Sequence, residues 1–160
     1  MASKILLIDG HSILNRAHYG LPLLTNDDGL HTNAVLGFLN IMLKVIDDEK
    51  PEYLTVAFDE HAPTFRHEMY AAYKGTRHPM PDELREQVPV MKDVLHSMGV
   101  NVISVPGLEA DDIIGTVSRI ALKNDMTAVI VSGDRDLLQL ATETVKVRLP
   151  RTIKGTTTVD

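Results

Sequence analysis

Seven acidic side chains stand just past the ends of apolar runs. Asp9 follows the run Ile5 to Ile8, and Asp59 follows Tyr53 to Phe58. Glu109, Asp111 and Asp112 follow Asn101 to Val105 and a Pro106-Gly107 turn, and Asp134 and Asp136 follow Thr127 to Val131 and Ser132-Gly133. Glu109 and Asp112 are three apart, which puts them on one helix face, with Asp111 at their flank. Asp134 and Asp136 straddle a tight turn after a glycine, a geometry that can aim both at one point. Taken singly, an aspartate after a strand is a turn former or a helix cap. Four strand ends all delivering acid is another matter. Crowded carboxylates raise one another's pKa and cost stability, so the cluster calls for bound cations. An all-oxygen donor set favours hard ions such as magnesium or manganese. Hard cations held this way can lower the pKa of a bound water and offset negative charge on phosphate oxygens.

The elements that must carry these acids alternate along the chain. Lys4 to Ile8 reads as a buried strand leaving into a turn at Asp9-Gly10. Asn33 to Ile46 has helical spacing at Val35, Leu36, Leu39, Met42, Leu43 and Ile46, with Thr32 as N-cap. Tyr53 to Phe58 is a second strand. Asp82 to Met98 reads as a helix opened by Pro81 and ended by Gly99, which Pro89 should kink or split. Asn101 to Val105 is a third strand. Glu109 to Lys123 reads as a helix with Ile113, Ile114, Val117 and Ile120 inward. Thr127 to Val131 is a fourth strand, Asp134 to Ala141 a short helix, and Val145 to Leu149 a fifth strand. The Thr-rich stretch from Gly155 can begin another. Strands alternating with helices at this spacing predict an α/β fold, a parallel central sheet with helices on both faces. In such sheets ligands bind beyond the carboxyl ends of the strands, where all seven acids fall.

Composition bounds the class. The 160 residues are enough for a single domain, and 44% apolar with 24% charged residues is ordinary for a globular chain. There is no cysteine, which excludes a disulfide, a thiolate zinc site and a cysteine nucleophile. The first ten residues hold a four-residue apolar run, against the roughly 7–15 residues of a secretory signal. No stretch approaches the ~20 apolar residues of a membrane helix, so a cytoplasmic location and no membrane partner are expected. The net charge of −6 argues at first sight against a nucleic acid. With the seven clustered acids set aside, however, the remainder carries +1. Acids that hold cations do not repel a phosphate backbone.

One segment, 60–81, is basic and aromatic. Arg66, Lys74 and Arg77, with His61, His67 and His78, are interleaved with Phe65, Tyr70 and Tyr73. Cations among aromatics suit a phosphate backbone with stacked bases, and above a metal centre the segment reads as a substrate clamp. The seven histidines are otherwise scattered, without zinc-ligand spacing, and most read as surface or loop residues. Neither a Walker-type phosphate loop nor a dinucleotide fingerprint occurs.

The motifs LLIDGHS, TNAVLGFLN, VAFDEHAPTFRHEMYAAYKGTR, GLEADDIIGT and VSGDRDLLQLA follow one another in the order and spacing of the 5′-nuclease domain of bacterial DNA polymerase I. The resemblance runs from about Lys4 to the end of the chain. That family includes the flap endonucleases and has a PIN-like α/β fold. The resemblance implies that Asp9, Asp59, Glu109, Asp111, Asp112, Asp134 and Asp136 ligate two divalent cations, Mg2+ or Mn2+. It implies that Lys74 and Arg77 belong to a helical arch, spanning 60–81, and contact the scissile phosphate. Tyr73 resembles an arch aromatic that meets terminal bases, and Arg16 resembles a phosphate contact. Phe65 and Arg66 lie in the matching DNA-contacting stretch, with a packing role for Phe65 equally open. The implied reaction is metal-assisted phosphodiester hydrolysis, and the implied substrate is DNA with a free 5′ end, a flap or a nick. In the family a helix–three-turn–helix element follows with two more metal-binding aspartates. The sequence ends before it, as an N-terminal fragment of a longer chain with a polymerase domain downstream would.

Other readings stay open at this level. A phosphotransfer domain with Asp9 as phosphoacceptor also uses acids at strand ends, although the haloacid-dehalogenase type wants an aspartate where His11 stands. A DNA-binding fragment inactive through truncation, and a PIN-type ribonuclease, share the same residues. Nothing in the residues alone separates DNA from RNA.

Overall fold

A computed structural model describes residues 3–59, 80–153 and 156–159. Five parallel strands form the central sheet: β1 (Lys4–Asp9), β2 (Tyr53–Ala57), β3 (Asn101–Ile103), β4 (Thr127–Val131) and β5 (Val145–Arg148), in the order β3-β2-β1-β4-β5. Between and beside them run α1 (Gly10–Gly20), α2 (Asn33–Glu49), α3 (Asp82–Arg85), α4 (Gln87–Ser97) and α5 (Ala110–Lys123). A 3-10 helix, Arg135–Leu140, follows β4. An antiparallel hairpin of β6 (Pro150–Ile153) and β7 (Thr156–Val159) occupies the Thr-rich stretch. The expected parallel sheet with helices on both faces is therefore the observed one.

Alternation along the strands divides the core. Leu6 and Ile8 of β1, with Val56, Val129 and Val131, pack under α1, α2, α3 and α4, where Leu14, Phe38, Met42, Leu84 and Met91 meet them. Leu7, Ala57, Ala128 and Ile130 point to the other face, against Ala110, Ile113 and Ile114 of α5 and Leu137 of the 3-10 helix. The chain winds outward from β1 through β2 to β3 and then returns to the other flank of β1 with β4. The strand order thus reverses between β1 and β4, the place where open α/β sheets form a ligand crevice.

Several details depart from the sequence expectation. Helix α1 is absent from it, because Gly10, His11, Ser12, Asn15 and His18 give a weak propensity signal. Packing makes this helix: Ile13, Leu14 and Ala17 are buried, and Gly37 of α2 admits Ala17 so closely that a Cβ on Gly37 would stand 2.7 Å from the Ala17 methyl. The helix Asp82 to Met98 is split, but at Glu86, three residues before Pro89. The break puts Pro89 in the first turn of α4, where a missing N–H leaves no hydrogen bond unmade. Thr32 does hold the N-cap position of α2 without a side-chain bond. The buried Gln87 caps instead, its Oε1 accepting from the N–H groups of Ala34 and Val35 at 2.8 and 3.1 Å. Burial on α5 follows Ala110, Ile114, Ser118 and Ala121, so Ile120, about 120° round from Ile114 at 100° per residue, faces solvent. Leu36 and Leu43 of α2 are likewise exposed, the buried stripe being Val35, Phe38, Met42 and Val45.

Candidate metal centre

The carboxylates gather at the carboxyl ends of the parallel strands. Asp9 is the last residue of β1, in register with Ala57 of β2, and is buried. Its Oδ2 accepts from the hydroxyl of Ser132, one residue past β4, at 2.8 Å. Ser132 is itself fully buried and its Oγ accepts from the N–H of Asp134 at 3.0 Å. Asp134 in turn caps the 3-10 helix, Oδ1 accepting from the N–H of Asp136 at 2.9 Å. One hydroxyl thereby ties the acid of β1 to the acids after β4. Ser12, in the first turn of α1, closes the same seam by accepting from the N–H of Gly133 at 2.7 Å.

Asp59 is fixed from two sides. Its Oδ1 accepts from the N–H of Ala110, the first residue of α5, at 2.6 Å. Its own N–H donates to Nδ1 of His11 at 3.2 Å, which leaves the imidazole proton on Nε2. The His11 ring stands edge-on to Phe58, with centroids 5.2 Å apart. Glu109, buried at the N-cap of α5, forms a reciprocal capping box with Asp112, whose Oδ2 accepts from the Glu109 N–H at 3.1 Å. The β3–α5 connection therefore places Glu109, Asp111 and Asp112 against the ends of β1 and β2.

Electrostatics reveals which acids share a volume. Burial pushes the Asp9 carboxyl up to about 6, and the charges of Asp59 and Asp134 add to this, against hydrogen bonds from Ser132 and the Ser12 N–H. Asp111 rises further, to about 7, through burial and then the charges of Asp9, Asp134, Asp59 and Glu109. A single half-buried aspartate thus feels a carboxylate from every one of the other three strand ends. Asp112 and Asp136 line the flank of the group, on a cavity of about 450 Å³ between α5 and the 3-10 helix. As the side chains stand, no three Asp, Glu or His among the described residues are gathered closely enough to hold a metal ion. Like-charge repulsion opposes that closer approach. The donor set nonetheless fits a hard divalent cation. Every group is a carboxylate oxygen on a rigid element end, and two of them are held well above their ordinary range by burial and by their neighbours' charge.

The other expected site residues fall elsewhere. Arg16 is exposed in the second turn of α1, its Nη2 donating to the Pro150 carbonyl at 3.2 Å. Phe65, Arg66, Tyr73, Lys74 and Arg77, with most of the 60–81 segment, lie outside the described residues. His11, Ser12 and Ser132 were passed over in the sequence. Two of the seven histidines are not surface groups: His11 adjoins Asp59, and His18 is buried with its Nδ1 3.2 Å from the Asn33 amide nitrogen. The available signal was their place inside the acidic motifs, three residues after Asp9 for Ser12 and two before Asp134 for Ser132.

Comparison with known proteins gives this arrangement relatives. The family model "5′-3′ exonuclease, N-terminal resolvase-like domain" matches residues 4–160. DNA polymerase I of Bacillus subtilis is 45% identical over 157 residues, covering 98% of this chain and 18% of that protein. DNA polymerase I of Geobacillus stearothermophilus is 44% identical over 160 residues, again 18% of its length. The chain thus spans under a fifth of these curated relatives. Among solved structures, the 5′-exonuclease of bacteriophage T5 with bound zinc ions superimposes with a TM-score of 0.69 at 20% identity, over 90% of this chain and 54% of that one. The T5 flap endonuclease in complex with DNA and metal ions gives 0.66 at 19% identity, over 90% and 54%. At these identities the two structures establish a shared fold.

Proposed function

The chain belongs to the 5′-3′ exonuclease family, as an N-terminal resolvase-like domain, and from that premise we propose that its acidic edge hydrolyses phosphodiester bonds near the 5′ end or flap of DNA. The observation that carries the reading is geometric: carboxylates from four separate segments, Asp9, Asp59, Glu109 with Asp111, and Asp134, meet beside the place where the strand order reverses. That degree of crowding at a strand-order reversal is arranged for cations. Asp9, Asp59, Glu109, Asp111, Asp112, Asp134 and Asp136 would hold two of them, Mg2+ or Mn2+. When bound, such ions supply Lewis acidity, lowering the pKa of water and offsetting negative charge on phosphodiester oxygens.

The chain's own residues do the positioning. Ser132 keeps the Asp9 carboxylate aimed past the end of β1. The Ala110 N–H and the His11 ring hold the side chain and backbone of Asp59. The capping box fixes Glu109 and Asp112 on the first turn of α5. Lys74 and Arg77 contact the scissile phosphate and neutralise charge developing on it. Arg16, Phe65, Arg66 and Tyr73 contact the strand. The products carry a 5′-phosphate and a 3′-hydroxyl. The relatives' length and names support a place in a DNA polymerase I, and we infer that it works in the cytoplasm during replication and repair.

The experiment is cleavage of a 5′-flap DNA and the matching RNA in manganese, with Asp134→Asn as control. The expected result is DNA cleavage by the wild type and its loss in the variant. An intact flap in both, or faster cleavage of RNA, would overturn the reading.

A further inference from the structure

The cavity of about 450 Å³ beside the metal centre has two chemically different ends. Glu109, Asp111, Asp112 and Asp136 line one of them, and Thr116, Arg119 and Gln139 extend it away from the acids. Arg119 lies seven residues beyond Asp112, two turns along the same face of α5. It is exposed, and among the described residues no carboxylate pairs with it. Two turns of helix separate it from the nearest acid on its own face, Asp112. Held apart from them, its forked donors remain available to a phosphate.

The floor of the cavity supplies an independent observation. Gly115 lines it, in the middle of α5, where glycine is a poor helix former. No neighbour demands its smallness. The residue is buried, yet a Cβ built on it would meet no heavy atom within 4 Å. Gly37, by contrast, owes its small size to the Ala17 methyl at 2.7 Å. At Gly115 the room is left on the cavity side, where a ligand can lie against the helix backbone.

We infer that this cavity is a second phosphate subsite, in which Arg119 takes a backbone phosphate of the nucleic-acid strand near the bond cut at the carboxylates. The inference rests on the nuclease reading and deepens it. Seven residues of helix from Asp112 rise about 10 Å, roughly three nucleotides at the duplex rise of about 3.4 Å, so the phosphate belongs within three nucleotides of the scissile one. Gln139 adds a neutral donor beside it. Arg119 acts here as a binding residue that fixes strand register, separate from the carboxylates.

The test is steady-state cleavage of 5′-flap DNA by wild type, Arg119→Ala, Arg119→Lys and Gly115→Ala across a salt series. In Arg119→Ala, KM is expected to rise about tenfold, equally on two unrelated flap sequences. The slope of log kcat/KM against log salt should become shallower by about 0.7 to 0.9, the share of one phosphate contact. Arg119→Lys should recover the salt slope and part of KM. Gly115→Ala should raise the thermal midpoint, because alanine is the better helix former, while raising KM by filling the cavity floor. An active wild type whose Arg119→Ala variant keeps its KM and salt slope overturns the subsite and leaves the nuclease reading intact. A wild type that does not cut flap DNA overturns the nuclease reading, and the subsite with it. A Gly115→Ala variant with unchanged KM overturns the role given to the cavity floor.

Discussion

Asp111 and Asp9 show how much a residue's chemistry depends on its neighbours' charges. Both carboxyls lie above the ordinary value of 3.8 in the folded chain, so folding favours their neutral forms. The stability this gives is complete below about pH 4. It is lost as the pH rises through about 6 for Asp9 and about 7 for Asp111. Without divalent ions, the folded chain at pH 8 therefore carries unrelieved repulsion among Asp9, Asp59, Glu109, Asp111 and Asp134. Asp111→Asn removes the most heavily repelled charge. In EDTA, thermal melts should place this variant above the wild type at pH 8, and the gap should narrow as the pH falls through about 7 and close only near pH 4. Parallel profiles for the two proteins would refute the account. All seven acids were legible in the sequence because an aspartate or glutamate past an apolar run is a local pattern. Ser132 and His11 were not, since a serine or histidine in a loop gains its role only from a partner distant in sequence, Asp9 across 123 residues and Asp59 across 48.

Elements obeyed the sequence where periodicity was strong and departed from it where packing decided. The five strands and α2, α4 and α5 were readable from apolar spacing. Helix α1 was not, because its inward residues Ile13, Leu14 and Ala17 are few and its remainder is polar. Tertiary contact compensates for that weak propensity. The start of α1 is also where the site is most sensitive to shape. A Cβ on Gly10 would stand 2.6 to 2.8 Å from three ring carbons of Phe58, which is fully buried and cannot retreat. Gly10 follows Asp9 and Phe58 precedes Asp59, so a methyl there wedges apart the strand ends that present those acids. Gly10→Ala should cost about 1 to 3 kcal/mol, the usual range for overpacking a filled core. Urea denaturation at pH 7 reads this directly. A Gly10→Ala protein as stable as the wild type would mean that the ring is free to turn aside. The contrast with Gly115, where an added methyl meets nothing, separates a glycine kept for packing from one that leaves room.

At the scale of the whole molecule, the acidic edge couples the two flanks of the sheet. β2 and β3 lie on one side of β1, and β4 and β5 on the other. Asp59 and the β3–α5 acids come from the first flank, Asp134 and Asp136 from the second, and Asp9 from the strand between. An ion gripped by carboxylates from both flanks is bound only when the sheet is folded, so its binding free energy adds to stability. At a free concentration about one hundred times Kd the gain is about 2.7 kcal/mol. For a chain of this length each kcal/mol moves the midpoint by about 2 to 4 °C, so manganese or magnesium should raise Tm by roughly 5 to 11 °C over EDTA. Sodium chloride at matched ionic strength should not, because screening weakens pairwise repulsion without joining the flanks. The discriminating comparison removes one acid from each side. Asp59→Asn and Asp134→Asn should each lose at least half of the gain, although their mutated positions share no strand. If only one of the two variants lost it, the ion would belong to a single flank, and the acids would be two independent groups that happen to share an edge. Calorimetric scans of the three proteins at pH 7.5 decide between a centre that staples the sheet and a pair of local sites.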